Sequence, residues 1–546
     1  GVGSAIQSSG GDVFVTGAGG GTGTSSVNMG ISVTGSGKIA PGGMGELFVE
    51  GTGGLVSGST NYGINISQAG SLITSNGGNV NVLANGGGVD ASSFNLGLAV
   101  QGATLSAGGT GIVNAEGYGG TSSGGTNHGV YVRNPQSLIT SSGGDVIVSG
   151  YAGGTGSANI GLVLDNEGVI SAGSNGNVFV NGTSSPTGSN LNRGIYLSGL
   201  NTMITSEGGN VTVVGQGTGT GAAGSSNGLL LVTQGMITAG GSGTVSVTGT
   251  GGGGTGPNNS GISIQNANTT IASSGGNVVV TGLGGGMSTS SSNYGVEMMS
   301  GSILTSGANG MLDVIGTGGA TSGNANLGVV LTGNNTRITS SGGDINVTGT
   351  GGGSGTSGSN YGVYVLNAAK IFPGGNGHAV IHGQGGTASG ASNSGVYLTG
   401  AGSQITSTNG HVTVTGTGGG SMGSAMNAGV LVDASASIGA SGIGNTTITG
   451  QGGNTTGNSN YGVFVSNGNA MITASQGDIN IMGQGGGNGT SGFNFGVNIS
   501  TQGIVDANGS GKIFISGSGG ISSGASNVGI ALGGPGASVL SDTGNI

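Results

Sequence analysis

The chain has 546 residues, of which 141 are glycine and only 4% are charged; 16 acids against 6 bases give a formal net charge of −10. This balance argues against a nucleic-acid-binding protein, which needs clustered Lys and Arg. The absence of cysteine means that disulfides do not hold the fold together. No apolar run approaches the roughly 18 residues of a membrane-spanning helix, so we expect no transmembrane segment in this sequence.

Two interleaved series of short motifs run along the chain. A corner resembling Ser-Gly-Gly-Asp recurs every 65 to 67 residues, and its last position is Asp12, Asn79, Asp145, Asn210, Asn277, Asp344, His411, Asp478 and Asn545. An Asn-x-Gly motif, with Ser226 replacing one Asn, recurs every 32 to 34 residues from Asn28 to Asn527. Constant spacing of this kind is the signature of a stacked repeat architecture. The true repeat is therefore a pair of units, 67 residues in all.

Each unit contains three segments that favour extended structure. In one copy these are Ile338-Thr339, the alternating stretch 344–348, and Gly-Val-x-Val after the next Asn, at 362–365. A single unit cannot bury its few aliphatic side chains, but stacked units bury them as columns with strands paired in parallel. We therefore predict an all-β fold, a parallel β-helix or β-solenoid of about 16 coils of 32–34 residues. Val347 should then lie beside Val314 and Ile381.

The Asn of Asn-x-Gly occurs once per coil, so we predict that it forms an internal amide ladder that satisfies a turn's backbone groups. In the most regular part of the chain this structural ladder comprises Asn293, Asn326, Asn360, Asn393, Asn427, Asn460 and Asn494. The Gly/Ser/Thr run at 349–359 is either a third face of extended backbone or an ordered arc outside the coil. The sequence leaves both alternatives open.

Repeats of the form ITSSGGDVxVTGTG, followed by a Gly/Ser run and NxGVxV, resemble those of very large bacterial surface and secreted proteins of the filamentous-haemagglutinin and autotransporter-passenger type. The resemblance covers the whole chain. It implies a right-handed β-helical stalk that mediates adhesion or builds extracellular fibres. Because the chain opens and closes inside a unit, we expect residues 1–546 to form a single continuous, uncapped array cut from a longer repeat protein.

One cluster of potential metal ligands stands out. Asp344, His378 and His411 fall in one predicted column, where imidazole and carboxylate are suitable for Zn²⁺. The same column elsewhere holds Ile112 and Met311, which favours a solvent-facing corner under no chemical demand. We therefore predict no metal site, no catalytic residue and no cofactor.

Other candidate residues are scattered. Arg337 and Lys370 share a column on adjacent coils, which indicates an exposed pair of like charges. The middle position of Asn-x-Gly holds aromatic residues that are either lateral contacts between fibres or isolated surface aromatics: Tyr62, Tyr294, Tyr361, Tyr461 and Phe495.

The sequence thus favours a structural, non-enzymatic segment of an extracellular fibre, acting as stalk, filament or adhesin body. Its expected partners are further copies of itself, joined end to end or laterally, and host or surface glycans. The competing hypothesis is a glycan-binding or carbohydrate-active β-helix protein, which requires acids and aromatics clustered on one face. With 3% aromatic residues, no such cluster is evident from the sequence.

Overall fold

In the computed structural model, which describes residues 2–546, every helix or strand element is a β-strand. The chain divides into two compact units: unit 1 comprises Gly1–Asn259 and Asn268–Gly276, and unit 2 comprises Ser260–Ala267 and Asn277–Ile546. Each unit contains three parallel sheets, called A, B and C here. Within one coil, the Ile-Thr segment supplies sheet A, the alternating segment supplies sheet B, and the segment after Asn-x-Gly supplies sheet C.

In unit 1 the strands are short and regularly spaced. Sheet A contains Ala5–Gln7, Lys38–Ala40, Leu72–Ser75, Thr104–Ala107, Leu138–Ser141, Val169–Ala172, Met203–Ser206, Met236–Ala239 and Thr270–Ser273. Sheet B contains Val13–Ala18, Leu47–Thr52, Val80–Asn85, Val113–Tyr118, Val146–Tyr151, Val178–Thr183, Val211–Gln216 and Val245–Thr250. Sheet C contains Ile31–Thr34, Ile64–Ser67, Leu98–Gln101, Val130–Arg133, Leu162–Asp165, Ile195–Ser198 and Leu229–Val232.

Unit 2 repeats this arrangement. Sheet A contains Ile303–Ser306, Arg337–Ser340, Lys370–Pro373, Gln404–Ser407, Ser437–Ala440, Met471–Ala474, Ile504–Ala507 and Ser538–Ser541. Sheet B contains Val278–Leu283, Leu312–Thr317, Ile345–Thr350, Ala379–Gln384, Val412–Thr417, Thr446–Gln451, Ile479–Gln484 and Ile513–Ser518. Sheet C contains Ile262–Gln265, Val296–Met299, Val329–Thr332, Val363–Leu366, Val396–Thr399, Val430–Asp433, Val463–Ser466, Val497–Ser500 and Ile530–Gly533.

The strand register stacks like side chains over like. Val347 pairs with Val314 on one side and with Ile381 on the other, and all three side chains are fully buried. The alternation of sheet B directs one set of residues into a core of Val, Ile and Leu and the other set to solvent. The predicted all-β parallel β-solenoid is therefore confirmed. That residues 1–546 form one continuous array stays a prediction.

The Gly/Ser/Thr run forms an ordered arc outside the three sheets, which resolves the alternative that the sequence left open. In one coil it has no strand between Thr350 and Val363, yet its backbone is bonded to the arc of the preceding coil, with Ser354 N–H donating to Thr321 O at 2.8 Å. Coil-to-coil backbone bonding therefore continues through the arc, which agrees with its preserved length.

Glycine is required where the two ends of an arc meet. A Cβ atom on Gly429, the glycine of one Asn-x-Gly motif, would lie 2.3 Å from Gln451 N and 2.7 Å from Gly416 O. Real side chains do not tolerate such separations, so only glycine allows the backbone segments to approach this closely. This close approach explains why glycine fills that position in every copy of the motif.

Candidate functional site

A buried row of asparagine side chains runs inside the arcs of unit 2. The asparagines bond from coil to coil through side-chain or backbone N–H groups: Asn293 Nδ2 donates to Asn326 Oδ1 at 2.9 Å, and the backbone N–H of Asn326 donates to Asn360 Oδ1 at 3.0 Å. All seven predicted ladder residues are fully buried: Asn293, Asn326, Asn360, Asn393, Asn427, Asn460 and Asn494. The structure therefore brings these residues together in one row.

Hydroxyl groups of the arc complete the hydrogen bonding of this row. Ser357 Oγ donates to Asn360 Oδ1 at 2.9 Å, and Asn360 Nδ2 donates to Asn393 Oδ1 at 2.9 Å. Ser357 is itself fully buried. Since buried polar groups are costly unless they are bonded, this arrangement contributes to the stability of the arc and presents no amide to a ligand.

Unit 1 contains a corresponding row, in which Asn95 Nδ2 donates to Asn127 Oδ1 at 2.9 Å. This row is interrupted where Ser226 takes the asparagine position. Its backbone N–H still donates to Asn259 Oδ1 at 3.1 Å, but the shorter side chain does not reach the neighbouring amide. As a result Asn192 Nδ2 and Ser226 Oγ are both buried without a hydrogen-bond partner. This coil is therefore a weak point of the ladder.

The corner column with the metal-ligand candidates uses its side chains for backbone hydrogen bonds. His378 N–H donates to Asp344 Oδ1 at 2.8 Å, His411 N–H donates to His378 Nδ1 at 2.9 Å, and Asn445 N–H donates to His411 Nδ1 at 2.9 Å. The two imidazole rings stack with centroids 4.9 Å apart and an interplanar angle of 4°. Each Nδ1 is therefore an acceptor, which leaves only Nε2 for any other contact.

The expectation that this corner is under no chemical demand is wrong. From Asp12 to Asp478, each Asp, Asn or His of the column accepts the backbone N–H of the next coil; in unit 1, for example, Glu46 N–H donates to Asp12 Oδ1 at 2.8 Å and Ile112 N–H donates to Asn79 Oδ1 at 2.9 Å. The pairing explains why Asp, Asn and His recur there. Within residues 2–546 no group of three His, Cys, Asp or Glu side chains is arranged to hold a metal ion.

The cation pair lies where the sequence predicts. Arg337 and Lys370 are register partners in sheet A of unit 2, and Lys370 is exposed while Arg337 is half-buried. No acidic side chain forms an ion pair with either of them in the described part of the chain. The pair therefore shows no feature of an anion site beyond its charge.

Three of the five aromatic residues of Asn-x-Gly pack against another ring, namely Tyr361, Tyr461 and Phe495. Tyr361 packs against Tyr364 of the same coil, with centroids 4.9 Å apart, and against Tyr397 of the next coil at 5.2 Å. Tyr364 and Tyr397 stack at 5.0 Å, and Tyr397 Oη lies 3.5 Å from Asp433 Oδ2. Burial raises the pKa of Tyr361. The outer surface of sheet C in unit 2 thus carries a half-buried tyrosine cluster beside a carboxylate.

A second cluster lies on the outer surface of sheet B in unit 1. Glu50, Leu83 and Glu116 are consecutive register partners, and they line a shallow depression of about 260 Å³ together with Phe48 and other neighbours. Tyr118 Oη donates to Glu116 Oε1 at 2.6 Å, which raises the pKa of Tyr118 to about 12. The interpretation that no face gathers acids and aromatics is therefore wrong. Reading one strand position across successive coils would have found this cluster.

Two titratable side chains are buried beneath the outer surface of sheet C. His128, in unit 1, is 6% exposed, and burial lowers its pKa to about 4 although its Nδ1 accepts the N–H of Ile160 at 3.2 Å. Glu297, in unit 2, accepts a hydrogen bond from Ser263 Oγ at 2.6 Å, and burial raises the pKa of its carboxyl. In both cases burial favours the neutral form of the side chain.

Comparison with known proteins finds no protein family and no curated protein that matches this chain. Within residues 2–546 there is no helix long and apolar enough to cross a membrane.

Proposed function

We propose that the chain is a structural, non-enzymatic segment of an extracellular fibre, serving as the stalk, filament or adhesin body of a bacterial surface or secreted protein. One observation carries this proposal: in each unit, the backbone sheets and a buried row of side-chain amides both run from coil to coil. A coil of this kind cannot move relative to its neighbours without breaking several hydrogen bonds at once. Such bonding is suited to a stiff element that transmits load.

The surface composition supports the same role. Only 4% of the residues are charged, and the chain has six Lys and Arg in total. Low charge reduces repulsion between neighbouring fibres, and few basic residues leave few cleavage sites for trypsin-like proteases. Both properties benefit a protein that is exposed outside a cell.

The arrangement of titratable groups supports a non-enzymatic role. Catalysis requires an acid or base whose reactive atom is free to reach a substrate. In the corner column of unit 2, Asp344 Oδ1, His378 Nδ1 and His411 Nδ1 instead accept backbone N–H groups. These three atoms of the corner column therefore have a structural use.

The family and the location belong to the same proposal. The repeats resemble those of filamentous-haemagglutinin-like and autotransporter-passenger-like proteins, and a parallel β-solenoid is the fold that this resemblance implies. We infer export to the cell surface or the medium from that resemblance together with the composition.

Glycan binding is the second candidate function, and the tyrosine cluster of sheet C favours it. Tyr361, Tyr364, Tyr397 and Asp433 combine aromatic rings with hydroxyl and carboxylate groups on one surface, as carbohydrate sites do. A Tyr364→Ala and Tyr397→Ala variant should lose binding on a glycan array if this surface holds a sugar.

The leading proposal is tested on native material. Brief protease treatment of intact source cells should remove the epitope of an antibody raised against this chain, and electron microscopy should show labelled rods or fibres. Single rods tipped by another domain would indicate an adhesin, and bundled or endless fibres would indicate a filament. Labelled protein that stays inside intact cells and protected from protease would refute the proposal.

A further inference from the structure

The depression on sheet B of unit 1 has an apolar floor between two carboxylates. Glu50, Leu83 and Glu116 occupy the same strand position on three successive coils. Since neighbouring strands lie about 4.8 Å apart, the backbones that carry the two glutamates are roughly 10 Å apart. Glu50 is exposed, whereas Leu83 and Glu116 are half-buried. An elongated side chain could therefore lie on Leu83 with its polar end between the carboxylates.

The charge around this depression has one sign. Asp12, Glu46 and Asp145 lie at the corner that leads into the same sheet, and no sheet B strand of unit 1 contains Lys or Arg. The one ion pair within residues 2–546 joins Arg133 to Asp165, which lie on two neighbouring strands of sheet C. Within residues 2–546, Glu50 and Glu116 therefore form no ion pair with a basic group.

The aromatic rings next to the depression stack in pairs. Phe48 stacks on Phe14 with centroids 4.9 Å apart and an interplanar angle of 3°, and Tyr118 stacks on Tyr151 at 4.9 Å and 15°. Each ring thus has one face covered by its partner. Phe48 lines the depression as an apolar wall.

We propose that this depression binds a Lys or Arg side chain of a basic segment of a partner protein. The methylene groups of the bound Lys or Arg lie on Leu83 and against Phe48, since long basic side chains cover apolar surface with their stems. The cationic head lies between the carboxylates of Glu50 and Glu116, as charge-assisted hydrogen bonding favours. The wall formed by Asn81 and Asn114 supplies amide groups for the partner's backbone. A second copy of this chain is a poor occupant because it has only six basic residues in total.

Titration calorimetry of the full chain with pentalysine at low ionic strength tests this site. The Glu50→Gln/Glu116→Gln variant should bind at least roughly tenfold more weakly, because it loses both charge-assisted contacts. Leu83→Asn should also weaken binding, since it makes the floor polar; asparagine already occupies positions 81 and 85 of the same strand. Circular dichroism verifies that each variant keeps the wild-type fold and melting temperature.

The matched control removes the same two charges elsewhere in unit 1. Asp90 and Glu167 lie outside the sheet B strands, and the Asp90→Asn/Glu167→Gln variant should bind pentalysine as the wild type does. If both double variants lost pentalysine binding equally, net charge alone would explain the loss, and the proposal would be overturned. The proposal would also be overturned if the wild type did not bind pentalysine. It would be overturned as well if the wild type bound a neutral oligosaccharide instead and the Glu50→Gln/Glu116→Gln variant did not.

Discussion

Asn326 and Asn360, 34 positions apart in the sequence, are joined inside unit 2 by a hydrogen bond of 3.0 Å from the Asn326 backbone N–H to Asn360 Oδ1. The same oxygen accepts a hydrogen bond from Ser357 Oγ, and the Asn360 amide nitrogen continues the row to Asn393. One side chain thus fixes its own arc and links it to both neighbours.

Replacing Asn360 with leucine should be strongly destabilising. The substitution keeps the branched shape of the side chain but leaves the buried Asn326 N–H without its acceptor and removes the amide donor to Asn393 Oδ1, and a buried unpaired group costs about 1–3 kcal/mol. We expect the free energy of unfolding to fall by about 3 kcal/mol. Urea denaturation measures it. Asn376→Ala, at an exposed position, is the control and should change the value by less than about 0.5 kcal/mol.

Restoring the interrupted ladder should stabilise unit 1. Ser226→Asn gives the buried Asn192 Nδ2 an acceptor and removes an unpaired hydroxyl, so we expect a gain of about 1–2 kcal/mol in unfolding free energy. Ser226→Ala deletes the same hydroxyl without supplying an amide and should therefore gain less than Ser226→Asn. A Ser226→Asn variant less stable than Ser226→Ala in thermal denaturation would show that the arc has no room for the amide.

Two glycines of one coil should respond oppositely to alanine. A Cβ on Gly429 would overlap backbone atoms of two segments, at 2.3 Å from Gln451 N, whereas a Cβ on Gly423 meets nothing within 4 Å. We expect Gly429→Ala to cost at least about 3 kcal/mol, in the range of severe overpacking. Gly423→Ala should be neutral or slightly stabilising, since it restricts the unfolded chain. Equal stability of the two variants would contradict the close approach described for the arc.

Buried His128 should make the stability of unit 1 depend on pH. Its folded-state pKa is lowered to about 4, whereas an exposed histidine titrates near 6.5. As the pH falls, the unfolded chain therefore binds the extra proton before the folded chain does. The stability that unit 1 gains from neutral His128 is complete above about pH 6.5 and is lost as the pH falls towards 4, up to roughly 3 kcal/mol.

The His128→Asn variant isolates that contribution. Asparagine does not titrate, can still accept the Ile160 N–H, and occupies the equivalent position at Asn227. Unfolding free energies measured from pH 7 to pH 4 should fall less steeply for this variant than for the wild type. Parallel curves would show that His128 keeps an ordinary pKa in the folded chain.

Most of the fold could be predicted from the repeat period of the sequence. Constant spacing placed Val347 beside Val314 and Ile381, because a parallel stack must pair equivalent residues. The same reasoning predicted one asparagine per coil. It did not predict that the Gly/Ser/Thr run is an arc with its ends pressed together, because that conclusion depends on the distance between Gly429 and Gly416.

The side-chain sites were harder to foresee. The role of His378 and His411 depends on the direction of each Nδ1 towards the next backbone N–H, and a sequence shows residue types but not side-chain directions. Glu50 and Glu116 are 66 residues apart, so their proximity appears only when alternate coils are read along one strand position.

The most direct test of the proposed fibre is electron cryo-microscopy of the protein in its native assembly. Coils stacked in register predict an axial repeat of about 4.8 Å along a labelled extracellular fibre. Compact particles without that repeat would contradict the account.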